Sequence, residues 1–255
     1  MTRVVKLGGR AQNDPALAAT LAAAWRAGRG ALCVVHGGGD EISALQRRLG
    51  MDVSFRGGRR VTTPEDIEVV RMALSGIANK RLVSALVSAG VEAVGLSGED
   101  AGLIAARPSA DLALGAVGEP DRINVALLWH MLDGGYLPVI SPLARAARGE
   151  RAGGALNVNG DDAAAAIAVA LAADELLLIA DVPGVLVDGA PAASLDVVEA
   201  RALVRRGVAG GGMAAKLEAA MHALRNGVAR VRIGDLAAIA APARGTAITL
   251  EGSLV

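Results

Sequence analysis

Short apolar runs recur along the chain, most of them without polar alternation: Arg3–Leu7, Ala31–Val35, Glu92–Leu96, Leu137–Ser141, Glu175–Ala180, Arg230–Ile233 and Ala247–Leu250. Continuous runs of this length suit parallel strands buried on both faces. Helical start and stop signals fill the intervals. Asp14-Pro15 offers an N-cap with proline at the first helical position, opening Ala16–Ala27, which closes at Gly28. Thr63-Pro64-Glu65-Asp66 repeats the device ahead of Ile67–Ser75. Asn79–Ala89 closes at Gly90, and Asn124 opens a helix to Leu132 that stops at Gly134-Gly135. Asp162–Ala172, Val197–Arg206 and Met213–Arg225 follow. This alternation predicts an α/β sandwich, doubly wound around a mostly parallel central sheet. The segment Arg145–Gly154, rich in Arg, Gly and Ala, reads as a hairpin or loop between two lobes of a single domain, about 1–150 and 151–255.

Composition sharpens the picture in three ways. Apolar residues make up 53% of the 255, but aromatics only 2%, so the core must be built from Ala, Val, Leu and Ile. Formal net charge is zero and no basic tract is present, which argues against nucleic acid as a partner. Cys33 is the sole cysteine, which leaves no disulfide framework or cysteine zinc site; within its apolar run it reads as a buried small hydrophobe. The stretch Ala163–Ala173 is too short to span a bilayer and is flanked by Asp161, Asp162, Asp174 and Glu175. With no hydrophobic signal region in MTRVVKLGGR, the expectation is a soluble, cytoplasmic chain.

The candidate chemistry starts from lysine usage. Lys6, Lys80 and Lys216 stand against twenty-three arginines. Lysine presents a compact point charge where arginine presents a broad fork, so a retained lysine points to a task that arginine does not fit. Two of the three lie beside glycines, in Lys6-Leu-Gly-Gly9 and Gly210-Gly-Gly-Met-Ala-Ala-Lys216. Glycine admits a ligand close to the backbone and lysine supplies charge to a phosphate, a pairing that suggests phosphoryl transfer. His36-Gly-Gly-Gly39 follows an apolar strand and precedes the helix start Asp40-Glu41-Ile42. Ligands of parallel sheets bind at the carboxyl ends of strands, and bare N–H groups at a helix start attract anions. A tight turn is the other reading of these glycines.

Two nucleotide signatures are absent. No Walker A pattern occurs, and Gly210–Ala215 matches GxGxxA without the preceding strand that a dinucleotide site requires. Asn157-Val-Asn159-Gly-Asp161 sets three polar side chains at alternate positions ahead of an Ala-rich helix, as a polar cluster or as an N-cap. In Gly58-Arg-Arg60-Val-Thr62 an arginine fork suits bidentate capture of a carboxylate, and a surface arginine is equally compatible.

Taken in order, these pieces resemble the amino acid kinase family, and within it the kinases that act on N-acetylglutamate. The resemblance runs over essentially the whole chain. Besides the segments above, it rests on Asn79-Lys-Arg-Leu-Val83, Gly95-Leu-Ser-Gly98, Tyr136-Leu-Pro-Val139, Asp181-Val-Pro-Gly184 and Gly211-Gly-Met213 with Lys216. It implies an open αβα sandwich whose N-terminal half binds an acyl amino acid and whose C-terminal half binds ATP. The implied reaction is phosphorylation of the γ-carboxylate of N-acetyl-L-glutamate. Lys6 and Lys216 would stabilise charge on the transferring group, with Asp161 holding both. Gly38, Gly39, Arg60 and Asn157 would meet the substrate. Gly8, Gly9, Asp181, Val182, Pro183, Gly184, Val185, Leu186, Ala209, Gly210 and Gly211 would surround the nucleotide. Mg²⁺ would arrive on ATP, with no dedicated protein site. Lys80 is read as structural.

The chain departs from the family pattern at Arg10 and at Asp162, which adds a carboxylate beside Asp161. N-succinylglutamate and carrier-bound glutamate or aminoadipate are alternative acceptors, and a non-catalytic sensor is a different class. The arginine-inhibited hexamers of the family carry a helix ahead of their first strand. Here only Met1 and Thr2 precede Arg3, so the resemblance implies an arginine-insensitive homodimer.

Overall fold

The structure, a computed structural model, describes residues 1–8, 10–147 and 154–250. Its centre is an eleven-stranded sheet with helices on both faces, as the alternating pattern requires. The first strand, β1 (Arg3–Leu7), leads through α1 (Leu17–Ala27) to β2 (Leu32–His36). Then come α2 (Gly39–Arg48) and a small hairpin, β3 (Phe55–Arg56) and β4 (Arg59–Arg60). A long helical rod follows: α3 (Pro64–Arg71), a π-helical stretch (Met72–Ala78) and α4 (Asn79–Ser88). The strands β5 (Ala93–Gly98), β6 (Ile104–Pro108) and β7 (Val117–Ile123) precede α5 (Val125–Asp133) and β8 (Leu137–Ala146). After the undescribed residues come β9 (Ala155–Val158), α6 (Gly160–Ala170) and β10 (Glu175–Ile179). The chain ends with a hairpin, β11 (Leu186–Val187) and β12 (Ala190–Pro191), then β13 (Ser194–Asp196), α7 (Val197–Arg205), α8 (Gly211–Arg225), β14 (Arg230–Gly234) and β15 (Thr246–Thr249).

β1 lies at the middle, parallel to β2 on one side and β10 on the other. Its apolar run works on both faces. Val4 joins one core cluster and Val5 the other, and in β10 Leu176 and Leu178 face one way while Leu177 and Ile179 face the opposite way. Cys33 is fully buried between such neighbours, and burial pushes its thiol up to about 12. Within this sheet the antiparallel pairs are β6–β7, β8–β9 and β14–β15.

Two helix caps differ from the sequence reading. Asp14 does not cap α1: its Oδ1 accepts from Ala16 N–H at 2.8 Å, one residue early, and the N-cap position is Ala16. Thr63 does cap α3, in a reciprocal box with Asp66. The helix expected from Asp162 begins at Gly160, because Asn159 is its cap; Asn157 sits on β9, so the three polar positions do not share one extended segment. The helices expected at Ile67–Ser75 and Asn79–Ala89 are joined by the π-helical stretch, with no break between them. β6 and β7 carry too few apolar runs to stand out. They form a bulged hairpin whose charged residues and Pro120 face outward, a pattern tolerated where one face of a pair meets solvent. The boundary expected at Arg145–Gly154 falls largely outside the described residues; Ala146 N–H donates to Gly154 O across it, and β9 pairs with β7 and β8.

Candidate active site

Three charged side chains meet at the carboxyl ends of the central strands. Lys6 is the penultimate residue of β1, Asp161 lies in the first turn of α6, and Lys216 lies on α8. All three are buried. Asp161 Oδ1 stands 2.9 Å from Lys6 Nζ and 3.1 Å from Lys216 Nζ. Asn159 fixes the carboxylate's backbone by accepting the Asp161 N–H on Oδ1 at 2.7 Å. Burial opposes ionisation of Asp161, but the two ammonium groups outweigh it and hold its carboxyl below the ordinary range. Burial, with Lys6 second, brings Lys216 down to about 8. The three groups carry a net single positive charge facing the strand ends, a ready counter-charge for a phosphoryl group.

Glycines open the approach to this triad. Gly8 continues β1; a β-carbon there would press to 2.6 Å from Ile179 O and lie 3.8 Å from Lys216 Nζ. At Gly38, which is the N-cap position of α2, a β-carbon would meet Leu74 Cδ2 at 2.5 Å. Neither α2 nor α8 has a side-chain cap, whereas α3, α6 and α7 do. The uncapped starts present N–H groups and the positive end of the helix dipole to an anion. His36 steadies the loop before α2. Its Nδ1 is 2.7 Å from Gly37 O and its Nε2 is 3.1 Å from Asn79 Nδ2. The amide donates to Nε2, so Nδ1 carries the proton and donates to Gly37 O. Burial lowers the ring's pKa to about 4, so it stays neutral. Lys80, as expected, serves structure: its Nζ donates to Gly95 O and Asn79 Oδ1.

A cavity of about 200 Å³ opens beside the triad, lined among others by Lys6, Gly38, Gly39, Arg60, Asn157 and Asp161. The structure therefore brings together the predicted catalytic and substrate residues. Arg60 is buried under the Phe55 ring, 4.8 Å from its centroid. Its Nη1 donates to Gln46 Oε1 at 2.5 Å, and its Nη2 to Gly39 O and Ser43 Oγ at 2.8 and 2.7 Å. Three of its five N–H groups are thus committed, and Nη2 is full. An unencumbered bidentate fork, the sequence expectation, is not what the fold presents; Arg60 offers Nε–H and one Nη1–H and also fixes the Gly39 carbonyl. Gln46 in turn donates to Asp66 Oδ1 at 2.6 Å. Asn157 donates to Thr62 Oγ1 at 3.0 Å.

The predicted nucleotide residues are less uniform. Gly9 lies outside the described residues. Asp181 and Pro183 are exposed, Val182 is half-buried and Leu186 is exposed. Val185 is turned into the core and its N–H donates to Thr246 Oγ1 at 2.8 Å, while Gly184 packs against the same hydroxyl. Ala209 is buried; Gly210 and Gly211 are exposed at the start of α8, Gly211 with φ of 51°. Arg10 stands 3.9 Å from Asp181 Oδ2 and is otherwise exposed.

Sequence reasoning missed Gln46, Ser43, Phe55 and the partnership of Arg59 with Asp162, whose Oδ2 accepts from Nη2 at 2.9 Å. One signal was available: Ser43 and Gln46 follow Ile42 on the buried face of α2, where polar residues need partners.

Comparison with known proteins finds relatives over nearly the whole chain. A family model described as the amino acid kinase family matches residues 1–235. The acetylglutamate kinase of Chloroflexus aurantiacus (strain ATCC 29366 / DSM 635 / J-10-fl) is 44% identical over 238 residues, covering 92% of each chain. That of Rubrobacter xylanophilus is 42% identical over 258 residues, covering 99% of this chain and 98% of the relative. Among solved structures, smu.665 from Streptococcus mutans UA159 is similar with a TM-score of 0.86 at 31% identity, covering 97% of this chain and 98% of that one.

Proposed function

This chain belongs to the amino acid kinase family, and we propose that it transfers the γ-phosphoryl group of ATP to the γ-carboxylate of N-acetyl-L-glutamate, a step of arginine biosynthesis. The observation that carries the reading is the Lys6–Asp161–Lys216 triad beside a cavity of about 200 Å³. The names of relatives that cover nearly the whole chain support the choice of acceptor.

The nucleophile has an ordinary pKa of about 4.3 and is ionised at neutral pH, so no general base is needed. One carboxylate oxygen attacks the γ-phosphorus in line. A new O–P bond forms, the bond to the β,γ-bridging oxygen breaks, and ADP leaves with that electron pair. What the protein supplies is position and charge. Lys6 and Lys216 neutralise the phosphoryl oxygens as the two anions approach, and Asp161 holds both ammonium groups on one side of the reacting centre. The N–H groups at Gly8 and at the start of α2 receive phosphate and carboxylate oxygens. Arg60 and Asn157 hold the α-carboxylate. The nucleotide lies against 181–186 and 209–211, giving an acyl amino acid half and an ATP half of one domain. Among the described residues no His, Cys, Asp or Glu groups of three or more are placed to share a metal ion. Mg²⁺ would arrive on the phosphates of ATP and add positive charge there. No described helix is long and apolar enough to cross a membrane. The assembly is a homodimer, packed through the rod from Ile67 to Ala89, where Met72, Ile77 and Val87 stay exposed in the single chain.

Trapping the acyl phosphate with hydroxylamine tests the reading. N-acetyl-L-glutamate should give hydroxamate and ADP in equal amounts. Release of ADP without hydroxamate, or a clear preference for N-succinylglutamate, would overturn it.

A further inference from the structure

Arg60 is buried, yet its hydrogen-bond partners among the described residues are all neutral: Gln46 Oε1, Gly39 O and Ser43 Oγ. The Phe55 ring covers one face of the guanidinium. A buried charge without a counter-charge is costly, so an unmatched one points to an anion that arrives from outside. The side chain has a way to meet one. Its Nε has no acceptor among the described residues and is not shut away from solvent, and Arg60 lines the cavity beside the lysine triad.

A carboxylate does lie close by, with Gln46 in between. Gln46 is buried on α2, and its Nε2 donates to Asp66 Oδ1 at 2.6 Å. Asp66 Oδ2 accepts the Thr63 N–H at 2.7 Å in the box that starts α3. One orientation of the Gln46 amide suits both neighbours: its oxygen must face the arginine, which only donates, and its nitrogen the carboxylate, which only accepts. Burial works against the charge of Arg60 and lowers its pKa, and Asp66 partly offsets this from beyond the amide.

We propose that Gln46 is a positioning residue that keeps the charge of Arg60 available to the substrate: its amide anchors Nη1 and holds the Asp66 carboxylate one side chain away, so that the counter-charge of the guanidinium is the substrate's α-carboxylate. This rests on the reading that Arg60 meets that carboxylate. Other side chains at position 46 fail one half of the task. A glutamate accepts from Arg60 but neutralises it, and sets a like charge against Asp66. An apolar side chain leaves Arg60 Nη1 and Asp66 Oδ1 both unpaired and free to seek each other. Glutamine accepts on one side and donates on the other with no net charge. Ser43 Oγ and Gly39 O hold Nη2 in the same manner, by neutral oxygens.

The test compares wild type with Gln46→Glu, which keeps the length of the side chain and the acceptor for Arg60 but adds the charge. KM for N-acetyl-L-glutamate, measured at saturating ATP, should rise about tenfold or more, the scale for losing a hydrogen bond to a charged group. KM for ATP should hold within about twofold and kcat within about threefold, because binding is weakened and the triad is untouched. A KM for N-acetylglutamate within about twofold of wild type overturns the proposal, whatever happens to the urea midpoint, since a merely structural role moves stability alone. An equal rise in both KM values overturns it too. If Gln46→Glu does not fold, the double variant Gln46→Glu, Asp66→Asn carries the same comparison: the new amide can donate to the new carboxylate and still accept the Thr63 N–H, and the same selective rise in KM is expected. Wild type that neither binds nor phosphorylates N-acetylglutamate sinks the kinase reading and the proposal together; an active wild type matched by the charged variant sinks the proposal alone.

Discussion

Lys6 and Lys216, near opposite ends of the chain, hold the same oxygen of one aspartate, Oδ1 of Asp161, at 2.9 and 3.1 Å. Two ammonium groups that would repel each other are drawn to one point by a single buried carboxylate. Deleting one of them removes charge from the transition state. Lys216→Ala should fold and lose about 10²–10³-fold in kcat, the scale for one preorganised charge donor. Steady-state rates with circular dichroism as a folding control decide it. A variant keeping half of wild-type kcat would remove Lys216 from the mechanism. Lys6→Arg should also be slow, because the fork does not fit where a point charge sat.

The alkaline limb of the rate profile should report Lys216. Burial lowers its pKa to about 8, so in the free enzyme its charge is present below that pH and lost as pH rises through it. kcat/KM for ATP should fall above about pH 8. Bound phosphates favour the charged form, so the limb in kcat should lie higher. In Lys216→Arg the limb near pH 8 should vanish, with a lower plateau. A limb unchanged in that variant would assign it to another group.

Acid should destabilise the fold through His36. Its folded pKa is about 4, lowered by burial, against an ordinary 6.5. Between those values the unfolded chain takes up a proton that the folded chain refuses. Stability is therefore full above about pH 6.5 and declines as pH falls towards 4, by about 3 kcal/mol in all. Urea unfolding at pH 7 and pH 5 should show a larger loss for wild type than for His36→Gln, which has no titrating ring. Equal losses would show that other groups carry the acid response.

The parts of the site legible in the sequence were those where one residue type answers one physical need. A lysine among arginines, a glycine at a strand end and a proline after a capping threonine each announce their role locally. What stayed hidden depends on partners far along the chain. Arg59 is an arginine beside another arginine until α6 brings Asp162 to it. Gln46 is a polar helix residue until β4 delivers Arg60. The fold was legible where strands are buried on both faces and read as unbroken apolar runs, as in β1 and β10. It was illegible at β6 and β7, where one face meets solvent and the pairing is set by tertiary contacts.

Arg60→Ala should separate the two substrates. The side chain lines the cavity and also holds Gly39 O, Ser43 and Gln46. KM for N-acetylglutamate should rise by at least about tenfold, with KM for ATP changing little. Arg60→Lys should recover little, since one ammonium cannot reach three acceptors on two sides. A selective loss of ATP affinity would reverse the assignment of the two halves.

A last prediction concerns the opposite strand ends, where no chemistry is expected. Glu175, at the start of β10, is fully buried beside three arginines. Arg3 and Arg230 are its ladder neighbours on β1 and β14. Arg3 Nε stands 2.6 Å from Oε2, Arg232 Nε donates to Oε1 at 2.8 Å, and Arg230 Nε is 3.3 Å from Oε1. Arg232 also donates to the carbonyls of Ala238, Ala241 and Arg244, and Arg3 to that of Ile239, so the cluster pins the loop before β15 to three central strands. Removing the carboxylate strands a buried guanidinium without its counter-charge. Breaking such a cluster by deleting one partner costs about 3–5 kcal/mol. Glu175→Ala should lower stability by that order in urea unfolding, while kcat of the folded protein at 25 °C stays within about twofold, because the lysine triad lies at the opposite ends of these strands. A loss under about 1 kcal/mol would mean that the carbonyl contacts alone hold the arginines. A large fall in kcat with stability intact would mean that this edge communicates with the active site.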